Sequence, residues 1–119
     1  MLLHNFFTCH DLQSDEQLIT CRIEFDSGHG IFKGHFPGNP VVPGVCMMEI
    51  VKELLQERVK TPLVLHTSGN VKFLQLITPG IKPGVKIEWK KTEDGYSVKA
   101  SISIESTIYF KFDGTYLPA

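Results

Sequence analysis

One segment of this chain carries a clear helical period, and what surrounds it reads as strand or turn. Placed at 100° intervals, residues 45–59 set Val45, Met47, Met48, Ile50, Val51, Leu54, Leu55 and Val59 on a broad apolar arc. Glu49, Lys52, Glu53, Gln56 and Glu57 lie opposite. Before the helix, residues 6–9 and 18–25 read as strands that can pair across the polar stretch 13–16. The second alternates Ile19, Cys21, Ile23 and Phe25 against Thr20, Arg22 and Glu24. After Pro62 the β pattern returns in residues 63–67, 70–77, 85–90, 96–104 and 107–116. Glu93-Asp94-Gly95 reads as a hairpin turn, with Asp94-Gly95 supplying positive φ. One long helix among so many strands calls for an α+β arrangement in which an antiparallel sheet curls around the helix.

The chain has 119 residues, which suits one domain over 1–119, since half that length makes only a marginal core. Hydrophobic residues at 42% and charged residues at 21% exclude a disordered chain. Twelve Lys and Arg against thirteen Asp and Glu give a net charge of −1, so no broad positive field is available to hold nucleic acid. Cys9, Cys21 and Cys46 are scattered, as in a reducing compartment, and with His4 and His10 they fit no zinc spacing. The apolar first residues lack a basic leader region, and no run approaches the ~18 apolar residues of a membrane span. The expectation is a soluble cytoplasmic protein with no membrane and no nucleic-acid partner.

Between strand and helix, residues 27–44 hold Gly28, Gly30, Gly34, Gly38 and Gly44 together with Pro37, Pro40 and Pro43. That density excludes regular structure and predicts a fixed loop, anchored by Ile31, Phe32, Phe36, Val41 and Val42. Within it His35-Phe36-Pro37-Gly38-Asn39-Pro40-Val41-Val42-Pro43-Gly44 runs into the helix, and Glu49 follows His35 by fourteen positions. This stretch resembles the signature of the β-hydroxyacyl-acyl carrier protein dehydratases, a family with the hot-dog fold. All three prolines and the interval to the acid match. Val71-Lys72-Phe73 leading to Thr78-Pro79-Gly80 resembles the family's next strand and its Pro-Gly corner.

The resemblance implies removal of water from a 3-hydroxyacyl thioester carried on acyl carrier protein, with no cofactor and no metal. It makes His35 the base at carbon 2 and Glu49 the acid for the departing hydroxyl. An imidazole suits proton transfer near neutral pH. The Gly44 and Val45 N–H groups, at the positive end of the helix, would stabilise the thioester oxygen. Phe36, Pro37, Pro43 and Met48 would line the loop and the acyl tunnel. Hot-dog dehydratases pair two subunits into one continuous sheet, which implies a homodimer with His35 of one chain facing Glu49 of the other. The β-rich residues 85–116 offer edges for such pairing. An acidic carrier protein would dock on Lys33 and Lys72, with Lys52 or Lys60.

On the residues alone, His35 could serve as a structural hydrogen-bonder, and Glu49 could simply pair with Lys52 at i,i+3. His29 and His66 have no motif and read as structural or exposed. Where the family has a glutamine, four residues after the acid, this chain has Glu53. The chain is also shorter than typical members, and the expectation is that the helical segment preceding the family's first strand is absent. Two other functions therefore stay open: a hot-dog acyl thioesterase, and a non-catalytic acyl-binding or assembly subunit.

Overall fold

The computed structural model describes residues 1–34 and 38–119. In chain order the elements are β1 (Phe7–Ser14), β2 (Leu18–Phe25), α1 (Gly30–Gly34), α2 (Gly44–Val59), β3 (Leu63–Phe73), β4 (Gly84–Lys91), β5 (Tyr96–Ile104) and β6 (Thr107–Pro118). Among the described residues the strands form one antiparallel six-stranded sheet in the order β1-β2-β4-β5-β6-β3. Period-two alternation explains the inner strands. In β4, Val85, Ile87 and Trp89 are buried while Lys86, Glu88 and Lys90 are exposed; in β2, Ile19, Cys21, Ile23 and Phe25 face inward as their spacing predicts. The helix α2 closes this concave face. Its Ile50, Val51, Leu54 and Leu55 share one core with Ile23, Ile87, Ile102 and Phe110. This is the hot-dog architecture.

The ends of α2 follow from local chemistry. Pro43 caps its start in an extended conformation (φ −61°, ψ 145°), a residue pre-set for entry into a helix and with no N–H to satisfy. At its far end Lys60 adopts a left-handed conformation (φ 57°), and its N–H returns to the Gln56 carbonyl before Pro62 stops the helix.

Several expectations change. Residues 27–44 are not wholly irregular, because α1 forms a short helical turn at Gly30–Gly34 that buries Phe32. The loop after β4 closes through Thr92 N–H to the Gly95 carbonyl and Gly95 N–H to Thr92 Oγ1, with no positive φ at Asp94 or Gly95. Gly95 is required instead because a Cβ there would strike the Tyr116 carbonyl oxygen. Residues 85–116 supply no free edge, since β4, β5 and β6 are each paired on both sides, and the edges are β1 and β3. On α2, Val45 is 75% exposed despite its place on the apolar arc, whereas Glu53 on the polar arc is fully buried at 0%.

Candidate active site

The start of α2 is open. The Pro43 carbonyl accepts the N–H groups of Cys46 (3.0 Å) and Met47 (3.3 Å), as a cap residue should. Gly44 and Val45 precede the first possible intrahelical donor, so no carbonyl of the helix takes their N–H groups, which stand at the positive end of the helix dipole. Phe73, at the end of β3, lies across this turn. A Cβ on Gly44 would come within 2.9 Å of its ring, so glycine is what allows the aromatic to sit there. Phe73 stacks on Phe110 (centroids 5.3 Å apart) yet stays 53% exposed. With Val45, Leu74 and Leu76, also exposed, it puts an apolar rim near the helix N-terminus. The approach to the helix is fixed by Val42 N–H donating to the Ile77 carbonyl at 2.7 Å. Pro43 and Met48 are half-buried and Met47 is in the core.

Glu49 lies further along α2, half-buried, with Lys52 Nζ 3.3 Å from its carboxylate. The i,i+3 pair read from the sequence is therefore present. Even so, the Glu49 carboxyl is held above the ordinary carboxylate range. Burial is the main cause and the neighbouring Glu53 carboxyl adds to it, while Lys52 pulls the other way. Glu49's charge is felt by Cys46 on the same helix and Tyr116 on β6, whose acidic groups are raised by burial first and by Glu49 second.

Glu53, one turn on, is bound differently. Its Oε2 accepts the Leu2 N–H (2.9 Å) and its Oε1 the Leu3 N–H (2.8 Å), so both oxygens are satisfied by backbone donors some fifty residues away. Those donors belong to a tight N-terminal turn in which the Leu2 carbonyl accepts from Asn5 (3.0 Å) and Phe6 (2.7 Å), with His4 in a left-handed conformation. Asn5 Oδ1 accepts from His29 Nε2 (2.6 Å), and His29 Nδ1 accepts the Ile31 N–H (3.1 Å) at the start of α1. His29 must carry its proton on Nε2 for both bonds to form. It is structural, as its lack of a motif suggested, and His66 is exposed.

Of the residues singled out from the sequence, Gly44, Val45, Pro43, Met48 and Glu49 gather on the first turns of α2. His35, Phe36 and Pro37 lie outside the described residues. The chain leaves α1 at Gly34, directly before His35. Glu53's burial, Phe73 and the N-terminal turn were missed. Only the replacement of the expected glutamine by Glu53 hinted at one of them. A cavity of about 410 Å³ lies elsewhere, between β1 and the far half of α2, lined by residues such as Leu12, Ile19 and Leu54, and it touches none of the candidate catalytic, oxyanion or tunnel residues that are described.

A family model described as ApeI-like, ApeI dehydratase, matches residues 11–110. The chain belongs to the ApeI-like dehydratase family. Relatives of this ApeI-like chain include an uncharacterised thioester dehydrase of Halalkalibacterium halodurans, 31% identical over 93 residues, which covers 71% of this chain and 60% of that protein. The 3-hydroxyacyl-[acyl-carrier-protein] dehydratase FabZ of Levilactobacillus brevis is 28% identical over 109 residues, 85% of this chain and 74% of that one. FabZ of Clostridium acetobutylicum is 33% identical over 70 residues, 53% of this chain and 50% of its own length. The ApeI-like chain thus spans from half to three quarters of these curated relatives. In structure it is similar to a chain of the dehydratase heterocomplex ApeI:P from Xenorhabdus doucetiae, with a TM-score of 0.73 at 20% identity, covering 88% of this chain and 91% of that one. It is also similar to an uncharacterised protein from Erwinia carotovora, with a TM-score of 0.65 at 24% identity over 94% and 92% of the two chains. Both likenesses support the hot-dog fold. No helix among the described residues is long and apolar enough to cross a membrane.

Proposed function

We propose that this protein is a hydro-lyase that converts a 3-hydroxyacyl thioester to the trans-2-enoyl thioester, with acyl carrier protein as the carrier. His35 takes the proton from carbon 2. The carbon–oxygen bond at carbon 3 then breaks, and the hydroxyl leaves as water with a proton from Glu49. Negative charge gathers meanwhile on the thioester oxygen, where the Gly44 and Val45 N–H groups stabilise it. His35 then holds one proton more than at the start and Glu49 one fewer, and exchange with water resets both.

The observation that carries this reading is the placement of Glu49, fourteen residues after His35 and half-buried near the open start of α2. Its surroundings raise the carboxyl, the direction that suits a general acid. A membership in a dehydratase family supports the same class of reaction.

The reading extends to assembly. The β3 edge is unpaired within the chain and exposes Val64 and Leu65, so a second hot-dog chain can extend the sheet there. In the paired arrangement, His35 of one subunit works with Glu49 of the other. A second reading has its own support. The chain in the ApeI:P heterocomplex comes from an assembly of unlike subunits, so the partner across β3 can be a different hot-dog chain. For docking, Lys33 at the end of α1 and Lys72 on β3 are exposed and available to an acidic carrier, while Lys52 is engaged by Glu49.

The test is incubation of the purified protein with a 3-hydroxybutyryl or crotonyl thioester. Interconversion read by enoyl absorbance supports the proposal; free thiol means a thioesterase, and neither product means a subunit inactive by itself. Mixing inactive His35→Ala with inactive Glu49→Gln then tests the shared site. Random exchange into like-chain dimers restores one intact site in each mixed dimer, roughly a quarter of full activity. No recovery despite subunit exchange removes the shared-site reading.

A further inference from the structure

β1 does not keep its own alternation. Cys9 lines the inner side of the sheet, so strict alternation would turn Asp11 inward and Leu12 outward. Instead the pairing with β2 shifts register between His10 and Gln13, and Asp11 takes a left-handed conformation (φ 55°). Such a bulge re-aims side chains, and the strained residue carries a cost of its own. Here it sends Asp11 out to Arg22 (3.2 Å) and turns Leu12 and Ser14 towards the far half of α2. Leu12 stays 57% exposed there, as one wall of the cavity of about 410 Å³ that the buried Ile19 and Leu54 also line. That volume lies in the range of small-molecule sites.

The rim of this cavity is charged, with Glu57, Arg58 and Lys60 at the end of α2. Arg58 and Lys60 also border a neighbouring depression of about 630 Å³, together with Glu16, Lys90 and Lys91. Cations outnumber carboxylates across both, and none of these side chains is ion-paired among the described residues. Arg58 is held by its Nε bond to the Asp15 carbonyl (3.1 Å) and by its stacking over Trp89 (5.3 Å). Trp89, which lines the depression, keeps a buried Nε1–H with no acceptor among the described residues.

We propose that the cavity is a second ligand site, which takes a single alkyl chain with an anionic head: the chain lies against Leu12, Ile19 and Leu54, and the head meets Arg58 and Lys60. A carboxylate and a phosphate head share that chemistry. The site does not depend on the reaction proposed above. It lies by β1, the sheet edge opposite β3, and at the other end of α2 from Gly44. It is thus separate from the start of the helix and from the edge offered to a second subunit.

Trp89 is the one tryptophan of the chain, and with Arg58 over its ring its fluorescence reads the head position. The experiment titrates the protein with decanoate and with decyl phosphate, below micelle-forming concentrations, with decyltrimethylammonium as the cationic control. A saturable change with at least one anion is expected, the tighter of the two naming the head, and no saturation with the cation. Leu12→Asn should weaken binding roughly fivefold to tenfold through lost apolar contact, and Lys60→Glu roughly fivefold through lost attraction. Both residues are exposed, and Lys60→Glu decides alone if Leu12→Asn does not fold. Glu49→Gln should bind like wild type, which separates this site from the catalytic one. Failure of both anions to saturate, equal binding of the cation, or an affinity unmoved in either Leu12→Asn or Lys60→Glu overturns the proposal. Binding lost in Glu49→Gln would put the chain in the reaction site and overturn it too.

Discussion

The two halves of α2 carry the same chemical group and treat it in opposite ways. The first half is open: Val45 is exposed, the leading N–H groups have no helical acceptor, and Glu49 is half-buried against a lysine. The second half is closed, with Glu53 walled in by a turn from the other end of the chain. One turn of helix thus separates a carboxyl that is partly open to solvent from one whose oxygens are committed to the backbone. Residue type says nothing about this difference; the number of donors around each group decides it.

Removing the proposed catalytic groups should cost activity and leave the fold intact. His35→Ala is expected to lower dehydration by ~10²–10⁴, the usual worth of a general base, with an unchanged melting temperature. Near-wild-type turnover in that variant would remove the base from the mechanism. Breaking the closed half should do the reverse. Glu53→Ala leaves the Leu2 and Leu3 N–H groups without acceptors, at about 1–3 kcal/mol each, and thermal unfolding should detect a fall of several degrees. An unchanged midpoint would mean that the turn is held by something other than this clamp. A smaller loss is expected from Asn5→Ala, which frees His29 at the start of α1 and costs about 0.5–1.5 kcal/mol.

The pH dependence of stability separates the halves further. Because the folded-state pKa of Glu49 is raised, its contribution is fully present below the ordinary carboxylate pKa of about 4.3 and is lost as pH rises through the folded value. Glu49→Gln removes that slope. Wild type should therefore lose ground against Glu49→Gln between acid and neutral pH in matched thermal melts, and a constant difference would contradict the raised value. The smallest effect expected is in docking: added salt should reduce activity on a carrier-bound substrate more than on a short pantetheine thioester, and equal responses would count against Lys33 and Lys72.

Much of the fold was legible because burial there follows from period alone. The alternation in β2 and β4 and the apolar arc of α2 each answer to one neighbouring layer, and the motif around His35 with its interval to Glu49 carried the family. What was not legible depends on distant segments. Val64 and Leu65 are apolar yet half-exposed because β3 is an edge strand, a fact set by strand order and invisible in the residues themselves. Residues 63–67 and 70–77 read as two strands but form a single one, β3, that bends through two irregularities in its pairing with β6 and stops at Phe73. Glu53 sits on the polar arc of its helix, and only the arrival of Leu2 and Leu3 converts that position into core. α1 forms where glycine density argues against it, because Phe32 packs on Phe6 (5.1 Å between rings) and His29 binds the first free N–H.

The contrast between the two carboxylates is tested most directly by the turnover of Glu49→Gln and Glu53→Gln, measured side by side on one short 3-hydroxyacyl thioester and normalised to folded protein. Glu49→Gln is expected to lose ~10²–10⁴ in rate with its melting temperature kept. Glu53→Gln should lose stability while retaining most of its turnover. A Glu53→Gln variant that folds like wild type yet loses more activity than Glu49→Gln would mean that the buried carboxylate, and not the open one, is the acid.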